Sequence, residues 1–220
     1  MTLADRASLP PEPASSGPRL ALLALLLLAL LVAAGVGSYL LLRPHLVFSN
    51  TLAGPVKLAV GGEPPTTIAP GHSVRVGLAR GGTTVAQWEL VRPLSADGRP
   101  MGEEVRGSSV LRSPSGTVRA AAASRTADDA YFAPLITNAS VQVLRVMVNA
   151  GLRGAVDCGC AVRPGARRVF IGYYRLFQNS TVEGRAPGIG AGTFRELGPR
   201  VTAADGTVGL RFEDKDLRGG

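Results

Sequence analysis

Leu20 to Leu42 reads LALLALLLLALLVAAGVGSYLLL, twenty-three positions without a charge, bounded by Arg19 on one side and Arg43-Pro44 on the other. At about 1.5 Å of rise per residue, a helix of that length covers the roughly 30 Å hydrocarbon core of a bilayer. Backbone amides in lipid must bond within their own segment, which confines such a run to a helix. Tyr39 falls near one end, where an amphipathic ring suits the headgroup region. Gly35 and Gly37 are two apart and miss the small-xxx-small spacing that pairs helices. The expectation is a transmembrane helix over 20–42, anchored between Leu20 and Leu42. A cleaved signal peptide is the competing expectation. Its apolar core spans about 7–15 residues, whereas here the small residues Ala33 to Ser38 are followed by a further apolar turn, Tyr39–Leu42.

Arg6 and Arg19 precede the run, and Arg43 and Lys57 follow it, so the cation bias that orients membrane helices is nearly level. The short polar tail before the run and the long portion after it favour the N-terminus inside. Residues 1–19 are Pro- and Ser-rich without apolar periodicity and read as a disordered cytoplasmic tail.

The formal charge is +8. Asp5 and Glu12 cancel Arg6 and Arg19, so the excess belongs to the part after the anchor. Its cations are almost all Arg, with Lys only at 57 and 215. That bias, together with abundant Ala, Gly and Pro, fits a GC-rich bacterial genome and places the chain in the cytoplasmic membrane of a bacterium, with its C-terminal part outside the cytoplasm. Cations beside a membrane lean on anionic headgroups at about 1 kcal/mol each, but a solvated surface explains them as well. The Arg residues are dispersed, with few aromatics among them to stack on bases, which argues against nucleic acid.

After Pro44 the pattern changes to short apolar runs between turn residues. Pro55–Val60, Ser73–Leu78, Thr83–Val91 and Val141–Val148 alternate apolar with polar residues or carry β-branched runs, punctuated by Gly61-Gly62, Pro70-Gly71, Asp97-Gly98 and Pro164-Gly165. The nearest approach to a helix is the Ala run within Thr117–Asp129, enough for one or two turns. An all-β ectodomain follows.

It also reads as duplicated. Phe48-Ser49-Asn50 is matched in type by Ile136-Thr137-Asn138, and Pro70-Gly71 by Pro164-Gly165. Trp88-Glu89-Leu90 is matched by Tyr174-Arg175-Leu176, Asp97-Gly98-Arg99 by Glu183-Gly184-Arg185, and Gly116-Thr117-Val118 by Gly206-Thr207-Val208. The offsets of 88, 94, 86, 86 and 90 residues keep one order along the chain. Two β-sandwich-like units of about 85–90 residues, at 45–127 and 130–216, are expected, each small enough to gain from packing on the other. Trp88 belongs to a core more readily than to a binding platform.

The stretch VKLAVGGEPPTTIAPGHSVRVGL, residues 56–78, resembles the surface-exposed β repeats of the PEGA type and related carbohydrate-associated modules. The second copy departs from that pattern by inserting Cys158-Gly159-Cys160. The resemblance implies a cell-envelope interaction module without catalysis.

Few residues offer chemistry. His45 sits at the membrane boundary. His72 neighbours Ser73, but adjacent strand residues point to opposite faces, and no Gly-x-Ser-x-Gly elbow exists. Three readings are open for Cys158 and Cys160: a small-ring disulfide, a soft-metal thiolate pair, or apolar filling. Zinc fits poorly, because a structural site wants four ligands and there is no second pair. Gly188 to Gly192 resembles a phosphate loop only if a helix follows it. Asn138-Ala139-Ser140 and Asn179-Ser180-Thr181 match the glycosylation acceptor pattern, which matters in a eukaryotic secretory host, against the composition. No cofactor or metal site and no enzymatic centre is expected. The chain reads as a single-pass envelope protein whose β-rich part is a binding or structural module, with the bilayer and an envelope protein or polysaccharide as partners. The alternatives are a thiol-redox or soft-metal protein using Cys158 and Cys160, and a membrane-complex subunit whose helix selects the partner.

Overall fold

A computed structural model describes residues 17–41, 43–79, 82–112, 116–125, 129–152, 156–188, 191–197 and 202–217. Most of the expected tail, up to residue 16, and Leu42 lie outside these. The chain divides into two compact units, Met1–Arg43 and Pro44–Gly220.

The first unit contains helix α1 (Gly17–Leu41). Leu and Ala are strong helix formers, and Pro18 is tolerated in the first turn, where its missing N–H has no intrahelical partner to lose. Pro44 disfavours helical geometry at Arg43 and closes the element. The helix therefore begins three residues before the expected Leu20, and Leu41 is its last described residue. Its side chains are described for 22–38. Among the described residues, no helix is long and apolar enough to cross a membrane.

The second unit is mostly β-strand. Its strands are β1 (His45–Asn50), β2 (Val56–Val60), β3 (Thr66–Ile68), β4 (Ser73–Gly77), β5 (Thr83–Leu90), β6 (Arg106–Arg112), β7 (Thr117–Ala122), β8 (Tyr131–Asn138), β9 (Leu144–Val148), β10 (Val156–Val162), β11 (Val169–Phe170), β12 (Tyr174–Arg175), β13 (Ser180–Arg185), β14 (Ala191–Leu197) and β15 (Thr207–Phe212), with a closing turn of helix α2 (Asp214–Leu217). The Ala run expected to make helical turns is strand β7. Ala120 and Ala122 face the core there, and β7 pairs in parallel with β1 along its whole length.

The strands form four sheets. Sheets β4-β1-β7 and β3-β2-β5-β6 enclose one core containing Leu46, Phe48, Leu58 and Trp88. Sheet β10-β9-β13-β14 and the sheet of β11, β8, β12 and β15 enclose another, with Phe132, Ile136, Val146 and Phe212. The pairing of β1, antiparallel to β4 and parallel to β7, recurs at β8 with β11 and β15.

One buried asparagine ends each leading strand. The Asn50 side-chain amide donates to Gly54 O (2.9 Å) and Ile68 O (3.0 Å), and its Oδ1 accepts the Leu52 N–H (3.0 Å). Asn138 donates to Gln142 O (2.7 Å) and Val162 O (2.9 Å) and accepts from Ser140 N–H (3.0 Å). The backbone of Asn50 bonds Gly71 N–H and His72 O, and that of Asn138 bonds Gly165 N–H and Ala166 O, all four at 2.9 Å. Two matched motifs of the sequence, the strand-ending Asn and the Pro-Gly turn, therefore touch each other in both places. Gly116-Thr117-Val118 and Gly206-Thr207-Val208 likewise open β7 and β15. Two other matches do not correspond. Trp88 lies in β5 of a four-stranded sheet, whereas Tyr174 lies in β12 beside β8. Asp97-Gly98-Arg99 is in a turn, whereas Glu183-Gly184-Arg185 is within β13.

The two cores meet around β8 and the segment 101–103. Tyr131 and Ala133 join the first core, while Phe132 and Ile136 join the second. Gly102 and Gly172, both at positive φ, cross so closely that a Cβ on Gly172 would lie 2.7 Å from Met101 O. Glu103 N–H donates to Tyr173 O (2.8 Å), and Arg175 N–H donates to Glu103 Oε1 (3.0 Å). The Tyr173 hydroxyl accepts from Ala53 N–H (2.8 Å) and donates to Asp205 O (2.6 Å), and its burial pushes its pKa up to about 12.

Replacing Asn50 by Ala orphans two buried carbonyls, and replacing Asn138 by Ala orphans one buried and one half-buried carbonyl. Each change is expected to lower stability by about 3 kcal/mol, measured by urea denaturation of the detergent-solubilised chain. The exposed Asn179→Ala should stay within roughly 0.5 kcal/mol of wild type.

Candidate functional site

The first core is open along one seam. Strand β6 ends the larger sheet and β7 ends the smaller one, and a groove of about 700 Å³ runs between them. Trp88 and Gly107 are register partners on β5 and β6. With no Cβ on Gly107, the indole lies flat over the neighbouring backbone. A Cβ there would sit 2.7 Å from Trp88 Nε1. Trp88 is 6 % exposed, so it is a core residue that lends one edge to the groove. An adjoining depression of about 780 Å³ shares Trp88, Arg106 and Ser108 and extends over Lys57 and Gln87.

Two ion pairs line the groove. Arg106 meets Glu104 at 3.1 Å, and Arg175 meets Asp129 at 3.2 Å. The Tyr131 hydroxyl and then the Asp129 carboxylate hold the Arg175 guanidinium above its ordinary range. The second pair comes from beyond the two sheets of the first core, with Asp129 just before β8 and Arg175 in β12. Its described lining has hydroxyls at Ser108, Ser109 and Tyr131 but no His or Cys. A hydroxyl without an adjacent base is a poor nucleophile. An indole edge between guanidinium and carboxylate groups suits hydrogen-bonded capture of a polar ligand.

The residues singled out in the sequence lie elsewhere. His72 Nδ1 is 3.0 Å from Pro70 O, while the Ser73 hydroxyl meets that of Ser49 at 2.8 Å, so the two side chains diverge as strand geometry requires. His45 lies between Arg75 (3.2 Å) and Thr117 (2.8 Å). The glycine-rich stretch at 188–192 leads into strand β14, not a helix, and residues 189–190 lie outside the described residues. Asn138 is fully buried with both amide hydrogens engaged, which removes it as a glycosylation acceptor; Asn179 is exposed in a turn.

A disulfide joins Cys158 to Cys160, with Cα atoms 5.1 Å apart. Gly159 between them takes positive φ, and its N–H donates to Asp157 Oδ1 at 3.0 Å. The register of β10 against β9 shifts across this stretch, which turns both sulfurs into the second core. At 4 % and 8 % exposure they are packed with Val146 and Val162. A thiolate is the metal ligand, and sulfurs in a disulfide supply none. Among the described residues, no three His, Cys, Asp or Glu side chains cluster as a metal site. Sequence reasoning missed the seam. Its one signal was a lone Gly at position 107, on the strand facing the only Trp.

No family model matches the chain, and no curated protein matches it. Among solved structures, a mutant of the shaft pilin spaA from Lactobacillus rhamnosus GG is similar at 7% identity and a TM-score of 0.26, covering 80% of this chain and 98% of that one. A likeness at that score carries no argument about fold or function. The residues that resemble PEGA-type repeats, 56–78, form β2, β3 and β4.

Gly107→Ala is expected to displace the indole at a loss of about 1–3 kcal/mol, as overpacking does. Trp88 is the sole tryptophan, so a red shift of intrinsic fluorescence reports it directly. Denatured but unreduced chain should take up no iodoacetamide, and reduced chain should take up one label at each cysteine, read by intact mass.

Proposed function

We propose that the chain is a single-pass membrane protein of a bacterial cell envelope, with its N-terminal tail inside and two copies of one β-sandwich unit outside. The copies act together as a non-catalytic binding or structural module. The observation that carries this reading is the surface of α1. Its described Leu and Val side chains, from Leu22 to Val36, are between 53% and 71% exposed, and consecutive positions cover the whole circumference of the helix. A helix apolar all round needs an apolar surrounding, either a protein core or lipid. Lipid fits the uncharged run from Leu20 to Leu42 and the Arg at each end. The repeated strand order and the paired Asn50 and Asn138 networks support the duplication.

The groove chemistry supports binding over catalysis, with an envelope protein or polysaccharide as the class of partner. Thiol or soft-metal chemistry at Cys158 and Cys160 would require opening a disulfide packed inside the second core, which counts against it.

The expected outcome of alkaline carbonate extraction is that the full-length chain stays with the vesicles. Protease added to spheroplasts should digest everything beyond Pro44 while sparing the N-terminal tail. Release by carbonate, or an undigested β-rich part, would overturn the anchoring or its orientation respectively.

A further inference from the structure

The sheet β4-β1-β7 has one face on the first core and one face open. On the open face, Val47 of β1 is the register partner of Arg75 on β4 and of Arg119 on β7. Two guanidinium groups thus flank one residue, on strands about 4.8 Å to either side of it. Arg75 Nη2 lies 3.2 Å from His45 Nδ1, and His45 Nε2 lies 2.8 Å from Thr117 Oγ1. A guanidinium only donates, so Nδ1 accepts and the imidazole proton sits on Nε2, directed at the Thr117 hydroxyl. The histidine therefore holds Arg75 across the sheet. Arg75 and Arg119 are exposed, and the remaining open-face positions, Ser49, Ser73, Gly77 and Ala121, carry no carboxylate. The opposite sheet of the same sandwich differs, since Glu89 is the register partner of both Lys57 and Arg106.

Position along the chain adds a second observation. Three residues, hence four Cα-to-Cα steps, separate Leu41, at the end of α1, from His45, the first of the central strand. Fully extended, they span at most about 14 Å. We propose that this open face docks on anionic phospholipid headgroups of the membrane that holds α1. The inference rests on the anchoring reading. Phospholipid is the favoured polyanion because that covalent tether keeps β1 within reach of the headgroup layer. The attraction acts over a Debye length of about 8 Å at physiological salt.

The test is amide hydrogen exchange on the full chain in nanodiscs of phosphatidylcholine alone and of phosphatidylcholine mixed with phosphatidylglycerol. With about fivefold per arginine near an anionic surface, the pair should raise the docked population roughly 25-fold. Amides of β4 and β7 should exchange more slowly in the anionic discs. High salt or Arg119→Glu, a change at an exposed side chain, should abolish the difference. Equal exchange in the two lipids, with α1 still protected, would overturn the docking and leave the anchoring intact. Free exchange of α1 would overturn the anchoring, and the docking with it. Equal slowing by soluble dextran sulfate in neutral discs would reassign the face to a polysaccharide and overturn the lipid assignment.

Discussion

The fold depends on how a chain passes from one layer of a sandwich to the other without stranding its carbonyls. Residues after β1 and after β3 make that passage at the same end of the first sandwich, and Asn50 stands where the two passages meet. Its amide donates to a carbonyl from each, Gly54 O and Ile68 O, while its own backbone closes the Pro70-Gly71 turn. Burying two carbonyls without donors would cost about 1–3 kcal/mol apiece, comparable to a large part of a small domain's stability. Asn138 solves the same problem between β8 and β9 and between β10 and β11. A side chain with two donors and one acceptor on a short stem is what the position needs. Asp lacks the donors, and Gln carries an extra methylene.

The surroundings of the two cores are alike where this constraint acts and different where the cores meet. Between β5 and β6 the chain spends residues 91–105, whereas between β13 and β14 it spends only 186–190. The longer connection carries Met101 into the second core and brings Gly102 against Gly172. Opposite that contact, the strand alongside β8 is broken into β11 and β12. Pro134, which has no N–H to donate, lies between their pairing sites. A proline inside a paired strand is tolerated where the neighbour leaves a gap. The joint thus places Asp129, Tyr131 and Arg175 beside Trp88 and makes the seam groove a property of both halves.

The periodicity of the sequence carried the β class, because alternation is imposed residue by residue: β2, β4 and β5 fall within the runs it marked. The correspondence of Asn50 with Asn138 was visible for the same reason, since a buried polar hub and its turn must keep their chemistry. The aromatic matches misled. Trp88 and Tyr174 share only hydrophobicity, and hydrophobicity does not say which sheet a residue belongs to. Ala120 and Ala122 read as helix formers because propensity is local, whereas the pairing that makes them strand comes from β1, some seventy residues earlier. The seam was illegible because it arises from what two strand edges leave uncovered, and no single residue encodes that.

The length of the hairpin formed by β9 and β10 also explains the cysteines. Asn50 and Asn138 are 88 residues apart, whereas their bonding partners Ile68 and Val162 are 94 apart, so the second hairpin carries six extra residues. Four of those residues lengthen a three-residue strand, β3, into the seven of β10, and the other two lie in the connection before it, 149–155 against 61–65. A longer strand against β9 must hold its added turn of backbone at Gly159 in place, in a region where the ladder shifts register. The bond between Cys158 and Cys160 spans that irregularity and directs both sulfurs into the apolar core, so the insertion contributes packing instead of an exposed loop. This gives the disulfide a structural reason in the length of that hairpin.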